Sequence, residues 1–285
     1  MDEFKKIWNI TETCFDILKN KKDLIFFTAM SWAFTFAFIS FMLIFFFINF
    51  QIQQKLFFID YFMFFLLYLG IYFINTFFNV CLIYSTKKYF NNEKITINDS
   101  LKFSLTNIKR IFYWTLFSST IGMVLLLIDS ISRMLGKNGK IIIKFMNSII
   151  GSMWSIFSIF VLPNMAYNNL STINSVKKSI NQVKKTWGKD LIKVHNTSMI
   201  QFIIMFIFVF ILIFISMVLY LILGNNILSP IVIFLLIFIL AITSIFSSMN
   251  HILHTALFLY AEKKIVVKEF KKNYLSRYFN KLKND

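Results

Sequence analysis

Six stretches of this chain are apolar for more than twenty residues at a time, at about 24–50, 56–84, 111–131, 141–165, 199–223 and 227–260. A helix rising ~1.5 Å per residue needs about twenty such residues to cross a hydrocarbon core ~30 Å thick, and ordinary core strands are far shorter. Each block is therefore expected to span a membrane as a helix. Composition leaves little room for a soluble alternative: 58% of residues are hydrophobic, 38 are Phe, and only 15% are charged, against about a quarter in soluble domains. The expected fold is all-α: one polytopic membrane domain over 1–285 with about six transmembrane helices, a basic N-terminal helix at 1–23 and a basic tail at 261–285. The second and sixth blocks exceed what a bilayer needs, so they are expected to tilt or to continue as helix beyond it.

A net charge of +17 raises nucleic acid as a partner, and the placement of the charges answers it. Of the 30 Lys and Arg residues, 25 fall in the segments that share a side with the N-terminus and 5 on the other side. The positive-inside rule accounts for that bias, puts both termini in the cytoplasm of a plasma-membrane protein and implies no specific nucleic-acid partner. The first block begins at Leu24, is too long for a signal-peptide core and lacks a small-residue cleavage site, so the first helix is expected to stay. Cys14 and Cys81 have neither the number nor the spacing of a disulfide framework or a metal site.

The basic segments carry a second pattern. Over 172–187, Ile173, Val176, Ile180, Val183 and Trp187 fall on one helical stripe, flanked by Lys177, Lys178, Lys184 and Lys185. Residues 96–110 behave alike, with Ile97, Leu101, Leu105 and Ile108 on one face. Both read as amphipathic helices at the inner membrane surface, the apolar stripe entering the headgroup boundary and the lysines meeting anionic headgroups. A shift of 76 residues lays Thr96-Ile97-Asn98 over Thr172-Ile173-Asn174. With Phe4, Ile7, Trp8, Phe15 and Leu18 before the first hairpin, the chain reads as three units of basic helix plus hairpin.

Leu162-Pro163 closes the fourth block, a basic helix follows and ends in Lys184-Lys185-Thr186-Trp187-Gly188, and the sixth block exits through Ala256-Leu257-Phe258-Leu259-Tyr260-Ala261. This order resembles the uncharacterised prokaryotic membrane family known as domain of unknown function six-one-five-nine, in which a proline, a basic helix ending in Trp-Gly and a Leu-Tyr-x-Tyr-Ala exit follow one another. Phe258 stands where that family usually has its first tyrosine. The resemblance implies a six-helix membrane domain without an assigned activity, and it transfers no catalytic residue.

An intramembrane enzyme or ion-coupled pump places ionisable groups deep in its spans, whereas Asp60, Asp129 and Lys144 lie near span ends. His251 and His254 have a spacing that puts both on one helix face, but Ile252 and Leu253 stand between them where a zincin needs a glutamate. Asn75 and Asn79 sit at a depth similar to the two histidines, and Asn164 ends the fourth block at the same side. Asn75, Asn79, His251 and His254 either line a small polar cavity or hydrogen-bond between helices. There is no phosphate-binding glycine loop and no Gly-x-Ser-x-Gly elbow. No catalytic residue, cofactor or metal ligand is therefore expected. The functional expectation is a non-enzymatic membrane scaffold whose partners are anionic lipid headgroups and other membrane proteins. A small-solute transporter or channel is the alternative, and an intramembrane enzyme comes third.

Overall fold

The computed structural model describes residues 2–53, 58–134, 137–168, 170–186, 228–263 and 267–271, with further positions at 206–207, 209–211, 214 and 265. In chain order its helices are α1 (Asp2–Asn20), α2 (Lys22–Gln53), α3 (Phe58–Phe90), α4 (Ile97–Thr106), α5 (Ile108–Met134), α6 (Lys137–Ser158), α7 (Val161–Asn168), α8 (Thr172–Thr186), α9 (Leu228–Lys263) and α10 (Lys268–Lys271). Among the described residues there is no strand. Among the described residues, five segments are long and apolar enough to cross a membrane: Asp23–Ile48, Phe62–Phe90, Ile108–Ser130, Ile141–Asn168 and Ile237–Lys263. The chain is thus an all-α, multi-pass membrane protein. The span expected at 199–223 lies outside the described residues except for helical positions at 206–207, 209–211 and 214.

Local chemistry sets the joints. After α3 the chain turns through Asn92, at φ 58°, with Asn92 N–H donating to Tyr89 C=O (3.0 Å) and Glu93 N–H to Lys88 C=O (2.9 Å). This is the left-handed cap that satisfies the last carbonyls of a helix, and asparagine tolerates its backbone better than other side chains. Thr96 then caps α4, its hydroxyl accepting from Asp99 N–H at 3.2 Å.

The fourth span is broken between Ser158 and Val161. Pro163 therefore sits in the first turn of a short continuing helix, where a missing N–H costs nothing, and does not close the span as its sequence position suggested. The break leaves backbone groups unpaired inside the bundle, and Ser179 of α8 repairs them. Phe160 N–H donates to Ser179 Oγ (3.1 Å), and Ser179 Oγ donates to Phe157 C=O (2.5 Å). Hydroxyl side chains from a neighbouring helix are a general means of tolerating such breaks within a membrane.

Burial is concentrated at one end of the bundle. Ile10, Cys14 and Leu18 of α1, Leu24 and Phe27 of α2, Leu82 of α3, Phe160, Val183 of α8, Ile252 and Leu257 of α9, and Phe270 of α10 form one core. Beyond it, α2 packs on α3 and α5 on α6 as hairpins, and their outward side chains are bare: Phe41, Phe47, Leu126, Ile141 and Phe145, the last 67% exposed. An exposed apolar surface of this extent is what a hydrocarbon solvent calls for.

The short basic helices meet the bundle on a face that only partly overlaps their apolar stripes: Ile97, Leu101, Val176 and Val183 pack on the core, but serines share the contact. In α8 the line turned to the protein is Ser175, Ser179, Val183 and Thr186. Val183 is 2% exposed within the core, while Ile173 is 62% exposed. The expected stripe of Ile173, Val176, Ile180 and Val183 is therefore split between protein and surroundings, and Trp187 lies outside the described residues. α4 does the same with Ser100 and Ser104, both fully buried, leaving Leu105 exposed. Ser100 Oγ shares a hydrogen bond with Ser85 Oγ (2.7 Å), and Cys81 Sγ donates to Ser104 Oγ (3.0 Å). Small polar residues let helices approach closely where lipid already solvates the apolar ones.

These serines also correct the repeat. The first helical bond runs from Ser100 N–H to Thr96 C=O in α4 and from Ser175 N–H to Ser171 C=O in α8. The structural register is thus 75 residues rather than 76, with the serine pairs superimposed.

Candidate functional site

Two polar arrangements interrupt the apolar interior. The first is a seam where α2, α3 and α9 converge. Thr28, Ser31 and Thr35 recur at helical spacing on α2, and Ser244, Ser247 and Ser248 do so on α9, so each helix turns a hydroxyl line toward α3. Thr28 Oγ1 and Ser248 Oγ are 2.7 Å apart. Asn75 is held from three sides: its Oδ1 accepts from Ser31 Oγ (3.0 Å), and its Nδ2 donates to Ile71 C=O (2.9 Å) and Thr35 Oγ1 (3.4 Å).

Thr28, Ser31, Asn75, Asn79, Ser244, Ser247 and Ser248, with Phe27, Phe78 and Leu82, surround a cavity of about 10 Å3, the room of roughly one water molecule. Asn75 and Asn79 both line this cavity, and Asn75 also hydrogen-bonds between helices. His251 and His254 are not among its lining residues; they lie further along α9, ring centroids 5.8 Å apart and edge to face. His251 shares the helical face of Ser244 and Ser248 but sits one turn beyond them, so position along α9, not the angle around it, keeps it from the cavity. The hydroxyl lines were readable as small polar residues three or four apart inside apolar blocks, a recurrent signature of packed membrane helices.

The second arrangement gathers around α7, at the basic end. Asn164 is fully buried. Its Nδ2 donates to Gln182 Oε1 of α8 (2.6 Å), and its Oδ1 accepts from Asn168 Nδ2 (2.9 Å). Asn168 also reaches Glu262 Oε2 of α9 at 3.4 Å, and Lys178 of α8 closes the chain with an ion pair to Glu262 Oε1 at 2.9 Å. Asn164 therefore belongs to this network and not to the Asn75–Asn79 cavity. Above it, Phe258 packs between Phe160 (6.1 Å) and Tyr167 (5.7 Å, stacked), and Lys87 of α3 lies over the Tyr167 ring at 3.8 Å.

The proline segment and the α9 exit, which carried the family resemblance, are thus one contact. Lys177, Lys184 and Lys185 point outward, whereas Lys178 is committed to Glu262. Neutral amides linked in series and sealed by a part-exposed ion pair make an anchor for α7, α8 and α9; the ion pair itself contributes about 0–1 kcal/mol, and the buried amides set the geometry. The Gln182, Asn168 and Glu262 partners were invisible in sequence because they come together only through the break before α7.

A model of a family of unknown function matches residues 58–266 of the chain. No curated protein and no solved structure matches it.

Proposed function

The chain belongs to that family, DUF6159, and from this premise we propose that it is a non-enzymatic scaffold of the plasma membrane, with both termini cytoplasmic, that organises lipids or protein partners at the inner leaflet. One observation carries the reading. At the polar seam between α2, α3 and α9, Asn75 spends its bonding capacity on Ser31, Thr35 and Ile71, and the space left beside it admits about one water. What faces outward instead is the basic end, where Lys102, Lys109, Lys177, Lys184 and Lys185 are exposed.

A small-solute transporter is the competing reading, and it requires α2, α3 and α9 to part around Asn75 and Asn79. A photo-crosslinking residue in place of Lys102, in cells, tests the scaffold. Reproducible adducts there, and none from the same residue in place of Leu126, are expected. No adducts at Lys102, together with solute flux in proteoliposomes that Asn75→Leu abolishes, would replace the scaffold with the transporter.

A further inference from the structure

A groove of about 790 Å3 opens between α5 and the start of α8, a size typical of ligand sites. Its wall is one stripe of α5, running from Arg110 through Tyr113 and Phe117 to Ile121, and Tyr113 is 63% exposed. At ~1.5 Å per residue that stripe is ~16 Å long, which matches one leaflet of a hydrocarbon core ~30 Å thick. Its mouth is cationic: among the described residues that line it, the charged ones are Lys109 and Arg110. Ser171, Thr172 and Ile173 line the same mouth. They open α8, whose first helical bond runs from Ser175 N–H to Ser171 C=O, so a helix start shares the groove with the two cations.

We propose that this groove is a binding site for one anionic phospholipid from the leaflet at the basic end, its phosphate between Lys109, Arg110 and the start of α8, and an acyl chain along Tyr113, Phe117 and Ile121. Three independent features select this occupant: the depth of a single leaflet, an apolar wall inside a span, and positive charge confined to the mouth. The site gives chemical form to the lipid half of the scaffold reading and rests on it. It also differs from diffuse attraction to a basic surface, because it names two of the many cations.

Native mass spectrometry of the full-length protein released from nanodiscs tests it, with phosphatidylglycerol in one preparation and phosphatidylcholine in the other. Wild type is expected to retain phosphatidylglycerol in preference. The double variant Lys109→Gln/Arg110→Gln is expected to lower that retention on the order of thirtyfold, since each cation near a headgroup contributes about 1 kcal/mol. Lys184→Gln/Lys185→Gln removes the same charge elsewhere and is expected to leave retention unchanged.

Arg110 Nη1 also donates to Asn107 Oδ1 at 3.0 Å, so thermal melting accompanies the double variant. If it fails to fold, Thr120→Phe decides, because it fills the groove without touching charge and is expected to lower retention too. Equal retention of both lipids, an equal loss in the Lys184/Lys185 pair, full retention in Thr120→Phe, or displacement by excess inorganic phosphate each overturns the site. Crosslinked partners at Lys102 that persist after any of these results leave the scaffold standing without its groove.

Discussion

Thr28 and Ser248 stand 220 positions apart in the chain and 2.7 Å apart in the bundle, hydroxyl to hydroxyl. Each hydroxyl also has a backbone acceptor one turn back, Ser244 C=O at 3.0 Å for Ser248 and Leu24 C=O at 3.4 Å for Thr28, so either can donate the shared bond. Thr28→Val and Ser248→Ala are each expected to destabilise the protein by about 1 kcal/mol. The double variant should cost less than their sum by about 0.6 kcal/mol, the usual coupling between membrane helices. Unfolding in mixed micelles measures all three, and strict additivity would mean that the bond does not join α2 to α9.

Ser179 serves two backbone groups at the break before α7. Ser179→Ala leaves Phe160 N–H and Phe157 C=O without that partner, at an expected cost of about 1–3 kcal/mol, whereas Ser175→Ala one turn earlier is expected to cost less than 1 kcal/mol, since Ser175 Oγ has no hydrogen-bond partner among the described residues. Thermal melting of the two variants checks the order.

For α8, a spin label at Val183 is expected to be immobile and shielded from both water and lipid, because that side chain is buried in the core. A label at Ile173 should be reached by oxygen dissolved in lipid and one at Lys185 by water-soluble relaxants. Similar exposure at Val183 and Lys185 would detach α8 from the bundle.

The amide network shows how far the sequence could be read. Long apolar blocks announce a helical membrane fold because hydrogen-bond satisfaction in lipid leaves a chain few other forms. The buried faces of α4 and α8 were not legible in the same way. In water the apolar stripe of a short helix is the face that packs; beside a bilayer, Ile173 and Leu105 can stay exposed, and Ser100, Ser104, Ser175 and Ser179 make the contact. Asn75 and Asn79 line the cavity, whereas His251, on the same face of α9 as Ser244 and Ser248, lies a turn beyond it, because block boundaries read from a sequence fix depth only to within about a turn. Glu262 and Gln182 were missed because each looks like a surface polar residue until the kink before Pro163 brings α7 between them.

The start of α4 has a pH dependence of defined sign. Asp99 is held below the usual carboxylate range by the Thr96 hydroxyl first and by the Lys88 ammonium at 3.5 Å second. A lowered folded-state value means that its contribution is present at neutral pH and disappears as pH falls through that value. Amide protection in the first turn of α4 should therefore decline on acidification, and Asp99→Asn should flatten the decline. Thr96→Ala, which removes the cap, is expected to weaken the turn by about 1 kcal/mol at any pH. Hydrogen exchange at Ser100 reads both.

Sidedness is open to a direct check. Cys14 and Cys81 are buried, and burial pushes the Cys14 thiol further from reactivity. Asn138→Cys is expected to react with an impermeant maleimide on intact cells, and Asn91→Cys only after lysis. The opposite pattern would invert the protein in its membrane.

The gathering of the core at one end makes that end an apex, from which the described spans extend as legs. Each leg, such as the stretch of α2 from Phe41 to Phe47 or of α6 from Ile141 to Phe145, stands on acyl chains more than on another leg. A thicker or thinner bilayer is then taken up in how far the legs lean, while the apex, with Asn164 locked to Gln182, keeps its geometry. The spread of the legs belongs as much to the lipid as to the chain.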